Sequence, residues 1–289
     1  MTATPQFDVA VVGSVNIDVI VRLARRPQPG ETVHGEQLSH RPGGKGANQA
    51  SAAARAGART ALVAATGDDP HGARLRAGLA HAGVDVSRCT TVPGPTGTAL
   101  IAVTPDGENS IVIIGGANEH LTAVDAWPAA ACYLTQLEIP LDTVVAAARH
   151  AQATGARFVL NVSPAQPVSP ELLRQADPVV VNVHEAALLL GAAAQTMAPA
   201  DYPAALITEG ARSAVVTLGA AGAAWADATG AGTVAAPSVE PVDTTGAGDA
   251  FAGALTAALA RGVPMPVAIA DANRAGADAT RWHGAVPWD

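Results

Sequence analysis

"DTTGAGDAFAGAL", Asp243 to Leu255, is the stretch from which the rest of the chain is best read. Phe251, Ala254, Leu255, Ala258 and Leu259 recur at helical spacing and predict a helix over Ala247–Ala260. Gly246, Ala247 and Gly248 form its first turn. Small residues there let a ligand approach the backbone closely. The unpaired N–H groups and the helix dipole favour an anion. Asp249 falls in the same turn. An isolated Asp at that position often does no more than complement the dipole. Two flanking glycines, Asp243 upstream and an apolar helix behind make a chemical role the better reading. A carboxylate beside an anion hole suits phosphoryl transfer to a hydroxyl. It accepts the hydroxyl proton while the N–H groups stabilise the moving phosphoryl group.

Working outward, short β-rich runs alternate with Ala-rich helical runs. Phe7–Gly13, Thr60–Gly67, Ala131–Glu138, Arg157–Pro164, Pro178–Glu185 and Ser213–Gly219 read as strands. Several are continuously apolar, as strands buried on both faces of a parallel sheet are. Helices are predicted over Ala47–Gly57, Pro70–Ala82, Leu141–Thr154, Tyr202–Gly210 and Pro266–Arg281. This order implies an open α/β sheet with helices on both faces, whose ligands bind outside the carboxyl ends of the strands. Residues 15–41 and 97–115 break the pattern. They read as a small second sheet, a lid, with a hairpin turn at "PDGEN" (Pro105–Asn109). No low-complexity linker or repeat divides the chain, so residues 1–289 are expected to form one domain.

Composition narrows the function. Of 289 residues, 49% are hydrophobic, 15% charged and 3% aromatic, which is a core-rich globular chain. A formal charge of −8 without a basic cluster argues against nucleic acid. Neither a signal peptide nor a membrane span is expected, and Cys89 and Cys132 match no metal spacing. A cytoplasmic protein with reduced thiols is the expectation. The histidines lack zinc-site spacing, and there is no G-x-S-x-G elbow.

Other motifs supply polar groups at strand ends. In "RPGGKGANQAS", glycines flank Lys45 ahead of a helix, with Asn48 as a further donor. "GSVNIDVI" places Asn16 and Asp18 on one face of an extended segment, a pair able to bind sugar hydroxyls or simply to end a strand. In "VNVHEA", Asn182 and Glu185 could hold a hydrated Mg²⁺ or phosphates, and His184 reads as incidental. "TLGAAG", Thr217–Gly222, is a glycine turn suited to a nucleotide. The dinucleotide fingerprint fails because Phe251 stands at its third glycine. The Walker motif fails because Gly46 follows Lys45.

Together, "GGKGANQA" and "DTTGAGDAFAGAL", in the order "VNID", "PGETV", "TGDD", "QLE", N-x-x-E and "TLG", resemble the signatures of the ribokinase-like, or phosphofructokinase-B, family of sugar kinases. The resemblance covers roughly Val9 to Ala285. It implies a three-layer α/β/α sandwich with a mostly parallel sheet and a β-sheet lid, often shared in a homodimer. It implies transfer of the ATP γ-phosphoryl group to a sugar hydroxyl, with Mg²⁺. Asp249 matches the catalytic base, and Gly246, Ala247 and Gly248 the anion hole. Asn16, Asp18, Gly44, Lys45, Asn48 and Glu138 match sugar-contacting positions. Asn182, Thr217, Gly219, Gly222, Gly248 and Asn273 match the nucleotide site. Glu185 is tied to Mg²⁺ indirectly, and Asp243 with the Thr245 backbone to a monovalent cation. The segment between Gly284-Ala285 and Pro287-Trp288 is shorter than in the family and supplies part of that cation site, which leaves potassium dependence open. The small polar set favours ribose as acceptor, with deoxyribose, a ketohexose, a nucleoside or pseudouridine as alternatives. A non-catalytic sensor is the reading from another class, and the intact Asp249 and anion hole argue against it.

Overall fold

Val9, Ala10, Val11 and Val12 are all fully buried, which requires a strand covered on both faces. The computed structural model describes residues 5–106, 108–122, 124 and 126–285. Its main sheet has nine strands in the order β13-β12-β11-β10-β9-β8-β1-β4-β5. These are β1 (Phe7–Val12), β4 (Thr60–Gly67), β5 (Val84–Val92), β8 (Ala130–Thr135), β9 (Arg157–Asn161), β10 (Val179–Asn182), β11 (Ala214–Thr217), β12 (Ala223–Asp227) and β13 (Gly230–Val234). All neighbours are parallel except β11–β12 and β12–β13.

The strand pleat sorts side chains into two cores. Val9, Val11, Leu62, Leu134 and Val215 point to one face, against α1 (Lys45–Arg55), α2 (Pro70–His81), α7 (Ala247–Ala260) and α8 (Met265–Ala279). Ala10, Val12, Val63, Tyr133 and Val216 point to the other. There they meet α3 (Leu141–Thr154), α4 (Pro170–Leu173), α5 (Val183–Leu190) and α6 (Tyr202–Thr208). The result is the expected α/β/α sandwich. Among the described residues no helix is long and apolar enough to cross a membrane.

The lid is a four-stranded sheet, β3-β2-β6-β7, formed by β2 (Asn16–Leu23), β3 (Gly35–Gly43), β6 (Gly97–Val103) and β7 (Asn109–Ile114). The central pair β2–β6 is parallel and both outer strands are antiparallel to it. Val103 pairs with Asn109 across the "PDGEN" turn, of which Gly107 lies outside the described residues. Asp69, the N-cap of α2, ties the lid to the core. Its carboxylate accepts from the Gly72 N–H, and from the N–H and hydroxyl of Thr96 just ahead of β6, each at 2.7 Å.

Chain direction along the sheet reverses between β1 and β8. From β1 the chain runs outward through β4 to β5, then returns to β8 on the other side. Such a switch point opens a crevice beyond the strand ends. The lid leaves the core there, since β2 follows β1 directly and β3 runs into α1.

Candidate active site

The N-terminus of α7 stands at this crevice. Gly246 adopts φ 78°, and a Cβ there would lie 2.4 Å from the Ala285 Cβ, so glycine is required to turn into the helix. At Gly248 a Cβ would meet no protein atom within 4 Å. The room beside Gly248 belongs to two cavities, both of which it lines.

Asp249 is 8% exposed, and protein donors hold both of its carboxylate oxygens. Asn48 Nδ2 donates to Oδ2 at 2.9 Å and Gln49 Nε2 to Oδ1 at 2.9 Å. A carboxylate offers about four lone-pair sites, so acceptor capacity remains for a substrate hydroxyl. Glu138 sits at the start of α1, where its Oε2 accepts from the Lys45 N–H at 3.0 Å and the Ser14 hydroxyl at 2.5 Å. Asn16 Oδ1 accepts from Asn118 Nδ2 at 2.7 Å, and Asn118 Oδ1 accepts from the Val15 N–H at 2.9 Å. The Asp18 carboxylate lies over Gly43, where an added Cβ would be 2.1 Å from Oδ1.

These side chains form an electrostatic cluster. Burial, reinforced by Glu138 and Asp249, pushes the Asp18 carboxyl up to about 7. Burial alone would lower the Lys45 ammonium, but Asp249, Glu138 and Glu185 outweigh it and raise the group above its ordinary value. Lys45 is therefore a fixed positive charge among carboxylates.

The smaller cavity, about 140 Å³, is lined by Lys45, Asn161, Asn182, Glu185, Thr217, Gly246, Gly248 and Asp249. It reaches the first turn of α7, where Gly248 also lines the larger cavity. Asn182 and Glu185 form a capping box on α5. The Glu185 N–H donates to Asn182 Oδ1 at 2.9 Å, and the Asn182 N–H to Glu185 Oε2 at 2.8 Å. The N-x-x-E spacing thus builds a helix start first, leaving Glu185 Oε1 outside the capping bonds. The larger cavity, about 380 Å³, is mostly apolar. Thr217, Gly219, Gly222, Ala247, Gly248 and Asn273 line it, together with residues 236–239. Asn273 spends its amide on the carbonyls of Val234 (2.9 Å) and Ala235 (3.3 Å), so it braces that wall. Asp243 accepts from the N–H groups of Thr245 and Gly284, each at 2.9 Å, which anchors the loop leading into α7. The Thr245 and Gly284 hydrogen bonds outweigh burial and hold its carboxyl below the usual value.

Sequence reasoning missed Ser14, Gln49, Asn118, Gln136 and Asn161. Each is a buried polar residue. Asn161 interrupts the apolar run "FVLNV", and that interruption is the signal that could have found it; Gln49 and Gln136 stand beside other polar residues in "GGKGANQA" and "TQLE" and carry no such signal.

A polar pocket and an apolar pocket meet at a helix N-terminus beside a buried Asp, an arrangement suited to phosphoryl transfer. Residues 6–287 match the pfkB family carbohydrate kinase description, and the chain belongs to that family. It is 38% identical over 278 residues to ribokinase of Bacillus subtilis, covering 93% of this chain and 91% of that one. Ribokinase of Thermotoga maritima superposes with TM-score 0.89 at 28% identity, covering 96% and 95% of the two chains. Arabidopsis thaliana ribokinase, solved with ribose and ATP, gives TM-score 0.87 at 31% identity, covering 97% and 94%.

Proposed function

We propose that this carbohydrate kinase transfers the γ-phosphoryl group of ATP to the primary hydroxyl of D-ribose, giving ribose 5-phosphate. The observation that carries the reading is the placement of Asp249 beside Gly248, between the polar lid side and the two cavities. The ribokinases among its relatives support ribose as acceptor.

Asn16, Asp18, Gly44, Lys45, Asn48 and Glu138 surround the sugar. Asp249 accepts the proton of the attacking hydroxyl. The N–H groups of Ala247 and Gly248 and the Lys45 charge stabilise the phosphoryl group in flight. Adenosine occupies the apolar cavity between Gly222 and the wall that Asn273 braces. The polar cavity fits a Mg²⁺ carried on the ATP phosphates. Glu185 Oε1, free of the capping bonds, and Asn182 would hold its waters, and no cluster of three protein ligands is required. Bound there, Mg²⁺ neutralises charge on the phosphates. Asp243 and the Thr245 backbone would form one side of a potassium site. The lid carries Leu38, Leu100, Ile111, Val112, Ile113 and Ile114, six of the ten exposed large hydrophobics among the described residues. By strand register Leu38, Leu100, Val112 and Ile114 share the face of the lid opposite Asp18, and a second lid packed on that face gives a homodimer.

ADP release with Mg-ATP tests the proposal against ribose, deoxyribose, fructose, adenosine and pseudouridine, each with and without potassium. Turnover confined to ribose supports it. Preference for another acceptor retains the mechanism and rejects the substrate.

A further inference from the structure

We infer that Gln49 is the positioning residue of the catalytic carboxylate, a role that rests on reading Asp249 as the base. Helices α1 and α7 approach so closely that a Cβ on Gly253 would lie 2.4 Å from the Gln49 carbonyl oxygen and 2.7 Å from the Ala52 Cβ. Gly253 stands one turn beyond Asp249, and this contact lets two consecutive α1 residues converge on one carboxylate. Asn48 takes Oδ2, and Gln49, which is fully buried, takes Oδ1.

All the hydrogen-bonding capacity of the Gln49 amide nitrogen is committed. Nε2 donates to Asp249 Oδ1 and to Asn161 Oδ1, each at 2.9 Å, while Oε1 accepts from Gln136 Nε2 at 2.7 Å. The order of donors is set from the sheet. Asn161 Nδ2 donates to the Val180 carbonyl at 3.0 Å, which leaves Asn161 Oδ1 as an acceptor toward Gln49. Turning the Gln49 amide over would face its oxygen against two acceptors and its nitrogen against a donor. The amide therefore has one orientation, anchored to β9, β10 and the residue after β8, and it aims an N–H at the base. It touches neither cavity, so it acts on substrates through the residues it holds, Asp249 and Asn161, both of which line the polar cavity.

The test compares Gln49→Met, which keeps length but removes both donors, with Asp249→Asn, by steady-state kinetics with ribose and Mg-ATP. Losing one charge-assisted hydrogen bond should lower kcat about 10- to 100-fold. KM for both substrates should stay within about threefold, because the lost interaction orients the base rather than binding. An unchanged kcat, or a raised KM with kcat intact, overturns the inference. Full activity in Asp249→Asn overturns the base reading and this one with it. A drop in Asp249→Asn without one in Gln49→Met removes the positioning role alone. Gln49→Glu supplies a second readout should Gln49→Met misfold. Two carboxylates in contact cannot both ionise readily, so the acidic limb of its kcat profile should move to higher pH. An unmoved limb in Gln49→Glu contradicts the inference.

Discussion

Replacing Asp18 with asparagine should stabilise the unliganded protein at alkaline pH and not at acidic pH. The folded site raises this carboxyl from 3.8 to about 7, first through burial and then through Glu138 and Asp249. Between those values the folded state holds a proton that the unfolded chain has released. Stability therefore falls as pH rises, with a slope approaching about 1.4 kcal/mol per pH unit. Below the unfolded value the group costs nothing; above the folded value the full cost is present. Roughly three units set an upper bound of about 4 kcal/mol, and partial exposure of the side chain brings the expected figure to about 2–4 kcal/mol. The amide of the Asp18→Asn variant has no charge to bury at any pH, and the remaining carboxylates are common to both proteins. Urea denaturation at about pH 5 and about pH 8 should give a stability difference that grows with pH in favour of Asp18→Asn. The same difference at both pH values, or a less stable variant at the higher one, refutes the reasoning. The variant should also bind ribose more weakly, since the destabilised carboxyl is retained for its hydrogen bonds.

The two glycines at the start of α7, Gly246 and Gly248, should respond in opposite ways. Gly248→Ala meets no protein atom, so it should keep or slightly raise the melting temperature while lowering kcat/KM at least about tenfold, because the methyl enters the ligand space. Gly246→Ala, at φ 78° and against Ala285, should cost about 1–3 kcal/mol in the same melting experiment. Lys45→Met removes the cation shared by Asp249, Glu138 and Glu185. It should reduce kcat about 10- to 1000-fold by steady-state assay, in line with loss of one group that stabilises transition-state charge.

Much of this architecture is legible in the amino-acid sequence. Uninterrupted apolar runs such as "FDVAVVG" mark buried parallel strands, and β1, β4, β8, β9, β10 and β11 fall where those runs stand. Strands β5, β12 and β13 escape the same reading. The edge strands β5 and β13 face solvent and carry Asp, Ser, Thr and Gly, so they have no continuous apolar signal, whereas β12 lies inside the sheet and its buried Ala-Ala-Trp-Ala run is too short to stand out beside the Ala-rich helices. The predicted α7 matches Ala247–Ala260 because glycine and an apolar stripe bound it sharply. Helix α1 begins at Lys45 rather than Ala47, since helical turns can start on glycine-rich sequence when tertiary partners accept the first N–H groups: Glu138 takes that of Lys45, and Ser14 those of Gly46 and Ala47. Within the site, residues carried by glycine motifs were visible. The roles of Gln136, Asn161 and even Gln49, which lies inside a glycine motif, were not, because their meaning lies in contacts between elements distant in sequence. The N-x-x-E pair shows the reverse: its spacing suggested a ligand, and the structure spends it first on a helix cap.

The central claim is that Asp249 takes the proton from a sugar hydroxyl during transfer from ATP. Its most direct test is ribose-dependent ADP formation by the native protein and by Asp249→Asn, with ribose affinity measured in parallel. The account predicts rapid formation of ribose 5-phosphate by the native protein. It predicts a kcat about 10²- to 10⁴-fold lower in the variant, with ribose affinity nearly unchanged. Near-native turnover by Asp249→Asn would contradict it.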